Sequence, residues 1–174
     1  MNIKTKLLSI ILVLCFAVCA LAGCKGDKVD TGSNAGANLI DYVAQTKLNL
    51  SSETKKAEVT VKSFIDGDTT HFNVPTDISP DGVLKARYMG INTPESTGKI
   101  EPWGKKASNF TKEKLSNAVS IYIESNDSNW NVDSTGGRHL VYIWYKPSEN
   151  EEYRCLNLDL IQNGLSISCG TMLA

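Results

Sequence analysis

The sequence has few residues of the types that bind transition metals. Of its 174 residues, only two are histidine and five are cysteine. His71 and His139 each stand alone in an alternating segment, where a histidine is more often packed or solvent-facing than catalytic. A basic excess is also absent, because the net charge is −1. The field of the whole chain therefore does not attract polyanions, and any contact with nucleic acid must come from a local cationic patch.

A long hydrophobic run is missing as well. The apolar stretch from Leu7 to Ala22 follows Lys4 and Lys6, and it is too short to predict a membrane span, so it indicates a targeting segment. It ends in Leu21-Ala22-Gly23-Cys24, which resembles the lipobox of bacterial lipoprotein signal peptides. That resemblance implies cleavage before Cys24 and a lipid on its thiol, which would anchor the chain in the cell membrane. An uncleaved anchor and a simple secretory signal are the alternatives, and all three place the domain outside the cytoplasm.

Three regions follow from this pattern: a signal peptide over residues 1–23, a flexible tether over 24–52 and a domain over 53–174. Loss of the signal removes two lysines and no acid, which changes the net charge from −1 to −3. Small and polar residues dominate the start of the tether. Spaced apolar residues from Leu39 to Leu50 fit either a short helix or an edge segment. In the domain, Cys155 and Cys169 either form a disulfide, which an oxidising compartment allows, or remain two free thiols.

Within the domain, alternating apolar residues predict short strands, and helical spacing predicts two helices. The predicted strands cover residues 57–65, 69–74, 84–91, 120–124, 139–145 and 152–156. The predicted helices cover residues 105–118 and 158–163, the second closed by Gly164. We expect Trp103, just before the first helix, to pack on the barrel as a hydrophobic staple rather than to serve as a platform for base stacking. Short strands with one interposed and one late helix favour a β-barrel with packed helices, α+β by content, of the five-stranded OB type.

Two polar clusters carry the chemistry. Asp66 and Asp68 flank Gly67 at a hairpin turn, and Asn92, Thr93 and Glu95 follow a predicted strand, where Pro94 stiffens the chain. Each cluster alone is more often an ordinary turn. Together they offer only carboxylate, amide and carbonyl oxygens, a donor set that suits calcium, suits magnesium less well and disfavours zinc.

Two arginines occur at the ends of predicted strands. Arg87 begins the stretch that leads to Asn92, and Arg138 precedes another strand. A guanidinium can hold a phosphate through two parallel hydrogen bonds, although a single arginine is more often a surface ion-pair partner. Carboxylates and arginines in one site indicate hydrolysis of a phosphodiester.

Five ordered blocks of the sequence resemble the staphylococcal nuclease (thermonuclease) family. These are Ile65 to Thr69, Arg87 to Glu95, Gly104 to Ala118, Gly137 to Ile143, and Asn157 with Gln162 to Gly164. The resemblance covers about residues 59–166. It implies an OB-fold, calcium-dependent endonuclease that cuts DNA and RNA with little sequence specificity, prefers single strands and acts as a monomer.

The resemblance also implies roles for individual residues. Asp68 and Asn92 would be metal ligands, Thr93 would contribute its backbone carbonyl, and Asp66 would support the metal site from its edge. The catalytic residues would be Glu95, as the base or orienter of the attacking water, together with Arg87 and Arg138, which would bind the phosphate and stabilise the transition state.

Three features depart from the family pattern. Asn92 stands where an aspartate is common, which predicts weaker calcium binding. The loop 133–137 lacks a nucleotide-binding tyrosine, and the helix that usually ends the family's domain is expected to be missing. An alternative function is therefore a weak or inactive OB-type lipoprotein that binds nucleic acid or another partner without cutting it. Exposed aromatic residues would favour that alternative, but we expect the candidates to be packed; they are Phe72, Tyr88, Trp130 and Trp144. A chain too short to fold stably is the remaining alternative.

Overall fold

The computed structural model of the protein describes residues 40–169. The predicted signal peptide, Cys24, the tether before residue 40 and residues 170–174 lie outside this range. Among the residues that are described, no helix has the length and apolar character needed to cross a membrane.

Nine strands and three helices make up the described chain. In order they are α1 (Tyr42–Gln45), β1 (Lys56–Glu58), β2 (Thr60–Asp66), β3 (Thr69–Asn73), β4 (Val83–Tyr88), β5 (Ile91–Asn92), α2 (Gly104–Ser116), β6 (Ser120–Glu124), β7 (His139–Lys146), β8 (Arg154–Cys155), α3 (Leu156–Gln162) and β9 (Ile167–Ser168). The main sheet has the order β1-β6-β7-β4-β3-β2, and β8 pairs with β7. Strands β5 and β9 form a small separate ladder.

The two edge strands of the main sheet are consecutive in sequence. Only Val59 separates β1 from β2, and its N–H donates to the carbonyl of Ile121 on β6. The chain therefore joins the two edges, although no ladder between β1 and β2 closes the sheet. A mixed sheet that curves from one edge back to the other, with helices packed on it, is the predicted OB-type architecture.

Strands β4 and β7 pair in parallel, whereas their other neighbours in the sheet are antiparallel. The register places Arg87 opposite Leu140 and Ala86 opposite His139. Arg138 immediately precedes β7, and the same register, extended by one position, places it at the level of Lys85, two residues from Arg87. Residues 51 positions apart in sequence are thereby brought to one region.

The prediction of a single strand over residues 84–91 is wrong. The strand ends at Tyr88, and the chain turns through Met89 and Gly90 before the two-residue β5. Gly90 has φ 74°, a left-handed conformation that glycine adopts without the usual Cβ penalty. The alternation of side chains therefore stops at Tyr88, and Asn92 reaches the site from a separate strand.

The helices agree with the predictions in type and differ at their ends. Helix α2 begins at Gly104, and α3 begins at Leu156, which the sequence had assigned to a strand. Gly164 closes α3 with φ 66°. Val43 of α1 is buried, and Gln162 donates to Asp41, so the residues around α1 pack on the domain that follows.

The core lies between the curved sheet and helices α2 and α3. Its fully buried large side chains are Phe72, Leu84, Tyr88, Ile123, Val141, Ile143, Leu156 and Leu160. The polar side chain of Asn157, on α3, lies among them with 2% exposure. It accepts a hydrogen bond from Ile143 N and donates to the carbonyls of Met89 and Val141, so it connects the turn after β4 to β7.

The two cysteines of the domain are free thiols. Cys155 is buried, and burial raises the pKa of its thiol to about 11. Cys169 is partly exposed. Of the two arrangements that the sequence allowed, the structure has the unbridged one.

Candidate functional site

The turn between β2 and β3 holds two buried carboxylates. Asp66 and Asp68 are only 7% and 2% exposed. A Cβ at Gly67 would lie 2.8 Å from Thr93 Oγ1, so this close approach requires glycine. Thr111 of α2 donates a hydrogen bond of 2.5 Å to the carbonyl of Gly67. Thr93 on one side and Thr111 on the other therefore hold the acidic turn in place.

Asp68 connects this turn to the segment that follows β5. Its Oδ2 accepts a hydrogen bond of 2.7 Å from the backbone N–H of Thr93, and its Oδ1 accepts one of 3.1 Å from Thr69 Oγ1. Oδ1 also forms an ion pair with Arg87. The two clusters that the sequence singled out thus meet in one place.

Arg87 lies between the oxygens that were predicted to ligate a metal. Its Nη1 contacts Asp68, and its Nη2 donates to Asn92 Oδ1 at 2.5 Å and to the carbonyl of Ile91 at 3.5 Å. The side chain is only 13% exposed. The guanidinium therefore neutralises Asp68, and it must leave these oxygens before they can surround a cation.

Asp66 is held by the loop that carries Glu95. Ser96 donates to Asp66 Oδ1 from both its hydroxyl, at 2.6 Å, and its backbone N–H, at 3.2 Å. The exposed carboxyl of Glu95 has a raised pKa, mainly because it shares a hydrogen bond with Asp66 and also because of partial burial and repulsion by Asp66 and Asp68. Arg87 opposes that shift. A carboxyl group that retains its proton more readily is suited to proton transfer.

Arg138 is more open than Arg87. Its side chain is 37% exposed, and Nε donates to Asp133 Oδ2 at 2.7 Å. Burial alone would raise the pKa of Asp133, but hydrogen bonds from Thr135 and Arg138 outweigh it and lower the pKa below its ordinary value. Within residues 40–169 the Nη atoms of Arg138 have no hydrogen-bond partner, so they are available to a ligand.

A cavity of about 410 Å³ lies beside these groups. Arg87 and Arg138 both line it, together with Gly90, Tyr142 and Cys169. Its volume falls within the range of small-molecule sites. A second cavity, of about 450 Å³, lies between α2 and α3 and contains none of the predicted site residues. The first cavity is therefore the one that brings together the two arginines predicted to bind a phosphate.

The residues fit a hard cation in donor chemistry, but they do not yet form a cage for one. Among the described residues, no group of three acidic, histidine or cysteine side chains is arranged to hold a metal ion. The candidate donors are Asp68, Asn92 and the carbonyl of Thr93, with Asp66 at the edge. All are oxygens, which suits calcium, and Asn92 supplies one charge fewer than an aspartate would.

Sequence reasoning missed several residues that support the site. These are Ser96, Thr111 and Asp133, which hold Asp66, Gly67 and Arg138 respectively. The helical spacing did place Thr111 on the face of α2 that packs on the sheet, and a buried hydroxyl on that face needs a partner. No comparable signal in the sequence marks Ser96 or Asp133.

The aromatic side chains differ in burial. Phe72, Tyr88 and Trp144 are buried, as predicted, and Trp130 packs against the core. The prediction that Trp103 packs on the barrel is wrong, because its side chain is 62% exposed. The backbone of Trp103 is left-handed, with φ 72°.

Comparison with known proteins gives a family for this arrangement. The family model described as staphylococcal nuclease homologue matches residues 85–170, a range that includes Arg87, Asn92, Glu95 and Arg138. The sequence is also 34% identical, over 98 residues, to a thermonuclease of Staphylococcus intermedius. That match covers 54% of this chain, and the chain spans about half the length of the relative, 52%. The segment of residues 85–170 therefore belongs to the family of staphylococcal nuclease homologues, and the mixed sheet with its packed helices is consistent with that family.

Proposed function

We propose that this protein is a calcium-dependent nuclease that hydrolyses phosphodiester bonds of DNA and RNA with little sequence specificity. The single observation that carries the proposal is the position of Arg87. It contacts Asp68 and Asn92 on one side and, with Arg138, lines the adjoining cavity on the other. A phosphodiester in this cavity would meet two guanidinium groups beside an acidic, oxygen-rich cluster.

Each residue has a task in such a reaction. Arg87 and Arg138 bind the non-bridging phosphate oxygens and stabilise the charge that develops on them. Glu95 orients the attacking water and accepts its proton as oxygen bonds to phosphorus and the ester oxygen leaves. Asp66 positions Glu95. Asp68, Asn92 and the Thr93 carbonyl would hold the calcium ion, which when bound would supply further positive charge beside the phosphate.

The direct test is the calcium dependence of activity on the chain from residue 24. We expect release of acid-soluble nucleotides from single-stranded DNA and from RNA when millimolar calcium is added, and no release with a chelator. A preparation that is folded by circular dichroism but releases nothing at high calcium would contradict the proposal. Arg138→Ala serves as the inactive reference.

A second candidate function is binding of single-stranded nucleic acid without cleavage. Asn92 favours it, because the missing charge weakens a calcium site and Arg87 already holds the same oxygens. Three aromatic residues that were candidates for base stacking weigh against it, since Phe72, Tyr88 and Trp144 are buried and cannot stack on bases. Affinity for an oligonucleotide that does not depend on calcium, without any hydrolysis, would support this alternative.

The proposed location follows from the N-terminal sequence. We propose that the protein is secreted, lipidated at Cys24 and anchored as a monomer on the outer side of the cell membrane. The lipobox-like Leu21-Ala22-Gly23-Cys24 supports this location. Labelling with a radioactive fatty acid should mark the wild-type protein and not Cys24→Ser. Labelling of both proteins would contradict lipidation at this residue.

A further inference from the structure

The turn that leads into helix α2 contains a strained residue. The N–H of Gly104 donates to the carbonyl of Glu101 at 3.1 Å, and Pro102 and Trp103 occupy the two central positions. Trp103 has φ 72° and ψ −10°, so the turn is of type II, whose third residue is ordinarily glycine or asparagine. Among the described residues, Trp103 is the only one besides glycine with a positive φ. A bulky residue at such a position is often retained for a function.

The turn is fixed against the loop that carries Glu95. Glu101 N donates to the Glu95 carbonyl at 2.9 Å, and Glu95 N donates to Glu101 Oε2 at 3.1 Å. Gly104 packs so closely that a Cβ there would lie 2.0 Å from Glu95 O. The backbone at Trp103 therefore cannot relax inward, and the indole is held in solvent next to a proposed catalytic residue.

The surroundings of the indole are suited to binding a ligand in which a planar ring is attached to a chain of phosphates. Trp103 lines a cavity of about 200 Å³ together with Asn92, Pro94 and Ile167. Lys106 places its ammonium 4.5 Å from the centre of the indole ring. The cavity thus combines an exposed aromatic surface, a neighbouring cation and one wall, Asn92, that belongs to the phosphodiester site.

We propose that Trp103 is a stacking platform for one nucleobase of the substrate strand, next to the phosphodiester that is cut. The proposal rests on the proposed function, since it names the part of the substrate that this surface binds. Stacking on an aromatic ring tolerates any base, which agrees with little sequence specificity. It needs an unpaired base, so it makes single strands the preferred substrate. Lys106 would contact the phosphate beside the stacked base.

The test is binding of a labelled single-stranded octanucleotide, measured by fluorescence anisotropy in a chelator so that no hydrolysis occurs. Trp103→Ala should weaken binding about 5- to 150-fold, as expected for the loss of one stacked base. An octanucleotide of abasic sites should bind the variant and the wild type equally. Trp103→Phe should retain most of the affinity, and Tyr42→Ala, which removes an aromatic side chain of 61% exposure at α1, should retain all of it.

A kinetic readout and a folding control complete the experiment. In calcium, we expect Trp103→Ala to raise KM for single-stranded DNA with a smaller change in kcat. Trp103→Gly removes the ring and relieves the left-handed strain, so it should lose affinity to the same extent without a lower melting temperature. A variant that fails to fold therefore does not decide the outcome.

Failure of the stacking platform and failure of the proposed function would give different results. Cleavage by the wild type with unchanged octanucleotide affinity in Trp103→Ala would overturn the stacking platform alone. Equal losses on the normal and abasic strands would also overturn it. Conversion of a wild-type dimer to a monomer by Trp103→Ala, without an effect on the octanucleotide, would assign the surface to self-association and overturn it too. If the wild type binds no nucleic acid and cleaves none, the proposed function fails together with this inference.

Discussion

Thr111 of helix α2 donates its hydroxyl to the carbonyl of Gly67, at 2.5 Å, in the middle of the acidic turn. Both residues are buried, and Thr111 is fully inaccessible. The helix contributes no proposed catalytic residue and no proposed metal donor, yet it helps to hold the turn that carries Asp66 and Asp68. The position of the proposed metal donors therefore depends on one side-chain hydrogen bond between two elements.

Removal of that hydrogen bond should affect both stability and activity. Thr111→Val keeps the shape of the side chain and leaves the buried Gly67 carbonyl without its partner, which costs about 1–3 kcal/mol. We expect the free energy of unfolding in urea to fall by that amount and kcat/KM to fall as well. Thr111→Ser, which keeps the hydroxyl, is the matched control. Equal stability of the valine and serine variants would show that the hydrogen bond contributes nothing.

Loss of the open arginine should affect activity far more than stability. Arg138→Ala removes the Nη donors that face the cavity, and loss of one such donor lowers kcat by about 10²- to 10³-fold. The melting temperature should change little, because Arg138 is 37% exposed and its ion pair contributes about 1 kcal/mol or less. Lys62→Ala, which removes a positive charge on β2, is the control. Unchanged cleavage by Arg138→Ala would remove this residue from the mechanism.

An added carboxylate at position 92 should strengthen calcium binding. Asn92→Asp restores a charged oxygen beside Asp68, and we expect the calcium concentration for half-maximal activity to fall about tenfold, or ~1.4 kcal/mol. A stronger ion pair with Arg87 offsets part of this gain. Isothermal titration with calcium measures the same change without substrate. Asn109→Asp adds the same charge on the exposed surface of α2, and an equal effect of both variants would mean that position 92 is not a ligand.

The raised pKa of Glu95 makes the stability of the protein depend on pH. Its pKa is raised, first by the hydrogen bond shared with Asp66 and then by partial burial and nearby carboxylates. A folded pKa above the unfolded one means that the protonated group contributes stability at low pH, and this contribution is lost as the pH rises through the raised value. Asp66→Asn removes the negative charge of Asp66 and weakens the shared hydrogen bond, so it should move the titration of Glu95 to lower pH. An NMR titration of the carboxyl carbon in calcium-free buffer measures it, and an unshifted midpoint would contradict the coupling.

Local patterns were sufficient to predict most of the elements. The alternating residues of β2, β3, β6 and β7 and the helical spacing of α2 depend on periods of two and 3.6 residues, which are visible in the sequence. The break after Tyr88 was not predicted, because Gly90 in an apolar run is compatible with a continued strand. A long-range contact also holds the turn that ends the strand, because Asn157 donates a hydrogen bond to the carbonyl of Met89.

The candidate site likewise combines features that local sequence patterns predict with features that depend on long-range contacts. Arg87, Asp68, Asn92, Thr93 and Asp66 meet as the blocks suggested, because the hairpin and β4 bring them together. The ion pair between Arg87 and Asp68 was not predicted, since each had been given a separate ligand. Trp103 was expected to pack on the barrel because it is a hydrophobic residue just before a helix. Its exposure results from the close contact of Gly104 with Glu95, which no local pattern shows.

Asn157 offers a way to adjust the cavity from a distance. Through one buried amide it fixes the backbone of Met89, Val141 and Ile143, two of which adjoin residues that line the cavity between the arginines. The outer surface of α3 should accept substitutions freely, whereas position 157 should tolerate almost none. An engineer who wants to reshape the substrate cavity without replacing any residue that lines it should begin with the inner face of this helix.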